Sequence, residues 1–141
     1  MVKSETKLER SRLVVADDHQ SVLDTVVLIL EPEFAIVETV RDGGALLEAV
    51  ARLDPDVVVL DVAMPVLNGL EVARLLREKN LRAKVVFLSV HDDEDFVREA
   101  LAEGASGYVV KGNMAVELPH AIHEALKGRR FISPSIRFGE A

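Results

Sequence analysis

The chain has 141 residues, of which 49% are apolar and 29% charged, the balance of one ordinary globular domain. A formal net charge of −7 argues against unaided binding to nucleic acid, which needs clustered lysine and arginine. There is no cysteine for disulfides or thiolate metal sites, and no apolar run exceeds the five residues Val26-Val27-Leu28-Ile29-Leu30, too few to span a membrane.

Residues 1–10 are polar, mixed in charge and without periodicity, which predicts a flexible tail and rules out a signal peptide. Leu13-Val14-Val15-Ala16 is the first short apolar run and predicts a strand covered on both faces. Val22, Leu23, Val26, Val27 and Leu30 then recur at helical spacing. Residues 35–40 predict a second strand, which Glu38 and Thr39 mark as a sheet edge. Gly43-Gly44 reads as a loop into a second helix bearing Leu46, Leu47 and Val50.

Val57-Val58-Val59-Leu60 predicts the third strand, and Leu70, Ala73 and Leu76 the helix after it. Val85-Val86-Phe87-Leu88 is the fourth strand, followed by a helix with Phe96, Val97, Ala100 and Leu101 that Gly104 is placed to cap. Gly107-Tyr108-Val109-Val110 is the fifth strand, and Leu118, Ile122, Ala125 and Leu126 the last helical stripe. Pro119 is compatible with a helix starting near Ala115, because first-turn amides lack partners anyway. Five βα units in succession predict a doubly wound parallel α/β sheet in one domain. Residues 129–141, opening with Arg129-Arg130-Phe131-Ile132-Ser133-Pro134, read as a linker or tail.

Ligands of open parallel sheets bind beyond the carboxyl ends of the strands. Strand one runs into Asp17-Asp18, strand three into Asp61, strand four into Ser89 and strand five into Lys111. Singly these are a capping acid pair, a turn acid, a loop hydroxyl and a surface lysine. Jointly they place three acids, a hydroxyl and an ammonium on one edge of one sheet. Three close carboxylates repel, and a divalent cation relieves them; the hard oxygen donors favour Mg²⁺. One carboxylate can then act as a nucleophile toward phosphorus, with Lys111 as a second cation and Ser89 as a hydroxyl donor.

The chain from about Ser11 to Gly128 closely resembles the receiver domains of two-component response regulators. The resemblance rests on Val14-Val15-Ala16-Asp17-Asp18-His19, on Leu60-Asp61-Val62-Ala63-Met64-Pro65-Val66-Leu67-Asn68-Gly69, on Leu88-Ser89-Val90-His91 and on Gly104-Ala105-Ser106-Gly107-Tyr108-Val109-Val110-Lys111. The Asp-Asp-His start, the Ser-Val-His segment and Phe131-Ile132-Ser133-Pro134 are most similar to the NarL/LuxR subfamily. It implies a flavodoxin-like (βα)5 fold with strand order 2-1-3-4-5 and a receiver over residues 11–128. It implies further that Asp61 takes a phosphoryl group from a sensor histidine kinase, and that Asp18, Asp61 and the backbone carbonyl of Ala63 bind Mg²⁺, with Asp17 assisting through a bound water. Lys111 would contact the phosphoryl group. Ser89 and Tyr108 would form the conformational switch, the ring turning inward as the hydroxyl moves. The implied protein is a cytoplasmic signalling receiver that catalyses only its own phosphorylation and dephosphorylation. It is open to homodimerisation, makes no membrane contact, and reaches DNA only through an output domain absent from this chain.

Two departures stand out. Gly112 follows Lys111 where most of the wider family has proline, often after a cis bond. A cis bond before glycine costs about 2.5–4 kcal/mol, so a trans bond is expected. Members of the subfamily also continue into a helix-turn-helix domain, whereas this sequence stops at Ala141, so it reads either as an excised receiver or as a stand-alone regulator that acts through protein contacts. His120 and His123 lack the further ligands that structural zinc needs. His91 reads as a rim histidine, solvated or controlling the access of water. A haloacid-dehalogenase-type phosphatase, the rival enzyme, would need Asp-x-Asp on the first strand, where Asp17-Asp18-His19 stands.

Overall fold

The computed structural model describes residues 10–137. The expected tail of residues 1–10 therefore lies outside the described residues, apart from Arg10. In chain order the elements are β1 (Arg12–Ala16), α1 (Gln20–Leu30), β2 (Ala35–Val40), α2 (Gly43–Leu53), β3 (Val57–Leu60), α3 (Gly69–Glu78), β4 (Lys84–Ser89), α4 (Glu94–Ala102), β5 (Gly107–Val110), α5 (Met114–Leu126) and β6 (Phe131–Ile132). All neighbouring strands pair in parallel, in the order β2-β1-β3-β4-β5-β6.

The period-two alternation of the central strands sorts their side chains onto two faces. Val14, Ala16, Val58, Leu60, Val85 and Phe87 join a core with Leu46, Val72, Leu76 and Val97, from α2, α3 and α4. Leu13, Val15, Val57, Val59, Val86 and Leu88 join a second core with Leu23, Val26, Leu118 and Ile122, from α1 and α5. Apolar residues on both faces are why β1, β3 and β4 read as unbroken apolar runs. β2 is a sheet edge, as Glu38 and Thr39 predicted, and its pairing with β1 slips between Leu13 and Val14.

Gly104 caps α4 as expected. It takes φ +92°, its N–H donates to Leu101 (3.0 Å), and the next N–H, from Ala105, reaches back to Ala100 (3.1 Å). Three features differ from the expectations. Gly43-Gly44 forms the first turn of α2, whose cap is the Asp42 carboxylate accepting from the Ala45 N–H. Pro119 stands inside α5, beyond the first turn, and would do so from a start at either Met114 or Ala115. Packing of Leu118, Ala121, Ile122 and Ala125 against the sheet outweighs the single helical hydrogen bond that proline cannot make. The third is the segment read as a linker: Phe131 and Ile132 add a sixth strand alongside Gly107 and Tyr108. Its local signals were glycine, arginine and proline, and only the exposed edge of β5 turns it into a strand.

The loop after β3 is held under strain. Val66 adopts φ +73°, a left-handed conformation disfavoured for any L-residue and more so for a β-branched one, while its side chain is 77% exposed. Val66→Asn should therefore stabilise the domain by about 1 kcal/mol, since asparagine tolerates this conformation and little burial is lost. Urea unfolding of the two proteins measures this; an equal or lower midpoint for the variant means the loop does not store the strain.

Candidate functional site

The chain path reverses between β1 and β3, which lie side by side although α1, β2 and α2 separate them in sequence. A crevice at such a reversal is the expected binding place in a doubly wound sheet. Asp17 follows β1 there, Asp61 follows β3, and Lys111 follows β5. Asp17 and Asp61 are 2% and 5% exposed, so neither carboxylate is a solvated turn acid.

The Lys111 ammonium joins them. Its Nζ lies 2.8 Å from Asp17 Oδ2 and 2.8 Å from Asp61 Oδ2. Burial works against the ammonium, but its hydrogen bonds to Asp17 and Asp61 outweigh that and hold it above the ordinary lysine range. The second oxygen of Asp61 accepts from the Ala63 N–H at 3.3 Å, so both carboxylate oxygens are oriented. Gly69 makes the close packing behind Asp61 possible. A Cβ at that position would sit 2.2 Å from the Asp61 carbonyl oxygen, a distance no side chain tolerates.

Asp17, Asp18 and His19 form a group whose candidate ligand atoms lie within 4.8 Å of one another. Asp17 Oδ1 accepts from the His19 N–H at 2.9 Å. His19 Nδ1 lies 3.2 Å from Asp17 Oδ1 and 3.0 Å from Asp18 Oδ1. Asp18 Oδ1 is buried and makes no hydrogen bond despite the His19 ring nitrogen 3.0 Å away. The Asp18 carbonyl accepts from Arg41 at 2.7 Å, which ties this loop to the end of β2. Sequence reasoning gave no role to His19 or Arg41. His19 was visible within the Asp-Asp-His run, whereas Arg41 is 23 residues from its partner and had no signal.

Ser89 ends β4 fully buried, its Oγ accepting the His91 N–H at 3.1 Å. Tyr108 is also fully buried, its hydroxyl donating to the His91 carbonyl at 2.7 Å. The ring stands inward in this structure. Burial raises the Tyr108 phenol above its ordinary range, against an opposing hydrogen bond with Ser89. The His91 ring is partly buried and stacks on Phe96, with centroids 4.3 Å apart, rather than standing free at the rim. His120 and His123 have separate neighbours, Phe131 and Glu33.

A family model described as the response regulator receiver domain matches residues 13–123. The chain belongs to the response regulator receiver family. It is similar to the transcriptional regulatory protein DegU of Brevibacillus brevis, with 39% identity over 89% of this chain and 54% of that protein. It is also similar to the nitrate/nitrite response regulator protein NarL of Escherichia coli K12, with 34% identity over 91% of this chain and 60% of that protein. The chain thus spans little more than half the length of these curated relatives. Among solved structures, the signal receiver domain of NarL from Mycobacterium tuberculosis superposes with TM-score 0.83 at 36% identity, covering 86% of this chain and 99% of that one. A LuxR-family response regulator from Aurantimonas sp. gives TM-score 0.86 at 33% identity, covering 91% and 93%. The flavodoxin-like fold and strand order 2-1-3-4-5 expected of a receiver are present, extended by β6. The membrane-free expectation extends only to this: among the described residues, no helix is long and apolar enough to cross a bilayer.

The receiver's two alkaline groups act in the same direction. Lys111 and Tyr108 both have folded-state pKa values raised above their ordinary values of 10.5 and 10.0, so the folded state holds its protons longer than the unfolded one. Their contribution to stability is complete below about pH 10 and is lost as pH rises through the folded values. Melting temperature should fall more steeply above pH 10 than in a Tyr108→Phe, Lys111→Met double variant; parallel curves would show that neither group carries the dependence.

Proposed function

We propose that this receiver takes a phosphoryl group onto Asp61 from a sensor histidine kinase and passes the change to a transcriptional output. The observation that carries this reading is the Lys111 ammonium bridging two buried carboxylates at 2.8 Å each, at the reversal point of the sheet. Lys111 holds an Asp61 oxygen on one side and the Ala63 amide orients the other, leaving the carboxylate aimed for attack on phosphorus. As the bond from Asp61 to phosphorus forms, the donor's bond to phosphorus breaks and the donor leaves with the electron pair. The added negative charge lies within reach of Lys111, and Ser89 at the end of β4 is the hydroxyl we assign to a phosphoryl oxygen.

The donor set fits Mg²⁺. Asp17 and Asp18 group with His19 within 4.8 Å, Asp61 and the Ala63 carbonyl are further hard-oxygen candidates, and Asp18 Oδ1 accepts no hydrogen bond. A divalent cation held by these oxygens would supply charge neutralisation for the carboxylates and the incoming phosphoryl group. Ser89 and Tyr108 support a switch through His91. Turning the Ser89 hydroxyl toward a phosphoryl oxygen deprives the His91 N–H of its acceptor, while Tyr108 holds the carbonyl of the same residue. A transcriptional output is supported by the printed name of the relative DegU, a transcriptional regulatory protein. The test is intact mass after incubation with acetyl phosphate and Mg²⁺. One phosphoryl addition that a chelator prevents is expected, and no addition, or addition indifferent to chelator, overturns the reading.

A further inference from the structure

The segment after α5 is built into the structure at one residue. Ser133 is 1% exposed. Its N–H donates to the Tyr108 carbonyl at 2.9 Å, its Oγ accepts the Val110 N–H at 2.9 Å, and its hydroxyl donates to the Glu117 carboxylate of α5. One side chain thus ties together the end of β5, the first half of α5 and the returning chain. Upstream, Phe131 donates its N–H to the Ser106 carbonyl at 3.1 Å. Downstream, Ile136 is buried in the same apolar core as Tyr108 and Val97. The two β5 residues that Ser133 grips are the switch aromatic and the residue directly before Lys111.

We propose that Ser133 is a positioning residue for Lys111, and that residues 131–136 form a latch that docks on β5 while Asp61 is unmodified and loosens once it is phosphorylated. The inference rests on the receiver reading given above. With Asp61 unmodified, Lys111 Nζ is fixed between two carboxylates, and β5 ends where Ser133 can satisfy all of its bonds. A phosphoryl group on Asp61 offers the Lys111 ammonium new anionic oxygens beyond the carboxylate it now holds, so following them would pull on the end of β5. Hydrogen bonds weaken steeply with misalignment, and a buried serine that loses its partners is costly, so a small displacement at Val110 disfavours the docked segment. The grip and the phosphoryl group therefore favour different arrangements of one element, which is the requirement for coupling.

Coupling between two sites is reciprocal, so weakening the latch must strengthen binding at Asp61. The probe is beryllofluoride with Mg²⁺, a phosphoryl mimic, read by hydrogen exchange over residues 129–137 and by its own binding affinity. In the unaltered chain, beryllofluoride should speed exchange in this segment. Ser133→Ala, which removes the hydroxyl, and Ile136→Ala, which removes the apolar anchor, should each bind beryllofluoride about fivefold more tightly, at the lower end of typical coupling. Two variants that act through different contacts guard against one of them merely unfolding. Exchange that is unchanged or slowed in the unaltered chain, or affinities unaltered in both variants, overturns the latch while leaving the receiver reading intact. Absence of any beryllofluoride binding in the unaltered chain overturns the receiver reading and the latch with it.

Discussion

Asp61→Ala will abolish phosphoryl uptake from acetyl phosphate, with no compensating label at Asp17 or Asp18. Asp61 has one oxygen on the Lys111 ammonium at 2.8 Å and the other on a single backbone amide at 3.3 Å. Asp17 is just as buried, but its oxygens are taken by Lys111 and by the backbone and ring of His19. Asp18 is the most open of the three, with a side chain 37% exposed, and lacks a lysine contact to stabilise developing charge. Attack on phosphorus needs a positioned, charge-neutralised oxygen that is still open, and Asp61 Oδ1 carries one long amide bond where Asp17 Oδ1 carries both the N–H and the ring of His19. Intact mass should show one phosphoryl addition in the unaltered protein and none in Asp61→Ala, with Asp61→Asn equally silent because its amide is no nucleophile. A labelled variant would place the acceptor elsewhere in the acid cluster.

Lys111→Met will destabilise the domain by about 3 kcal/mol in the absence of Mg²⁺, because it leaves two buried carboxylates without their shared cation. Methionine keeps most of the stem's volume, so the loss measures the charge more than the packing. The Lys111 side chain is 12% exposed and its two partners are 3% and 7% exposed, so solvent screens the pair weakly. Mg²⁺ should restore part of the lost stability, and should bind the variant more tightly than the unaltered chain, since it no longer competes with an ammonium for Asp17 and Asp61. Urea unfolding with and without Mg²⁺ measures both effects. Equal stability in the absence of Mg²⁺ would mean that Lys111 contributes nothing to holding the acids together.

The sequence by itself determined the alternation of five strands and five helices, and with it the edge on which the chemistry collects. That information is local. Strands buried on both faces must be apolar throughout, as in Val57-Val58-Val59-Leu60, and helices facing a sheet must repeat their apolar residues every three or four positions. Asp17, Asp18, Asp61, Ser89 and Lys111 were legible because each ends such a strand or lies within two residues of its end. Tertiary structure alone decided what those residues touch. The Lys111 bridge joins groups 94 and 50 residues away, and a lone lysine after a strand does not say which carboxylates it will meet. The inward position of Tyr108 depends on the His91 carbonyl, 17 residues earlier, and on the core around it. The sixth strand lay hidden for the same reason: two residues have no periodicity to read, and they pair only because β5 offers an open edge while Ser133 finds Val110 and Glu117 already in place. Proline in α5 shows the limit from the other side, since a local breaker yields where the apolar face around it is buried on the sheet.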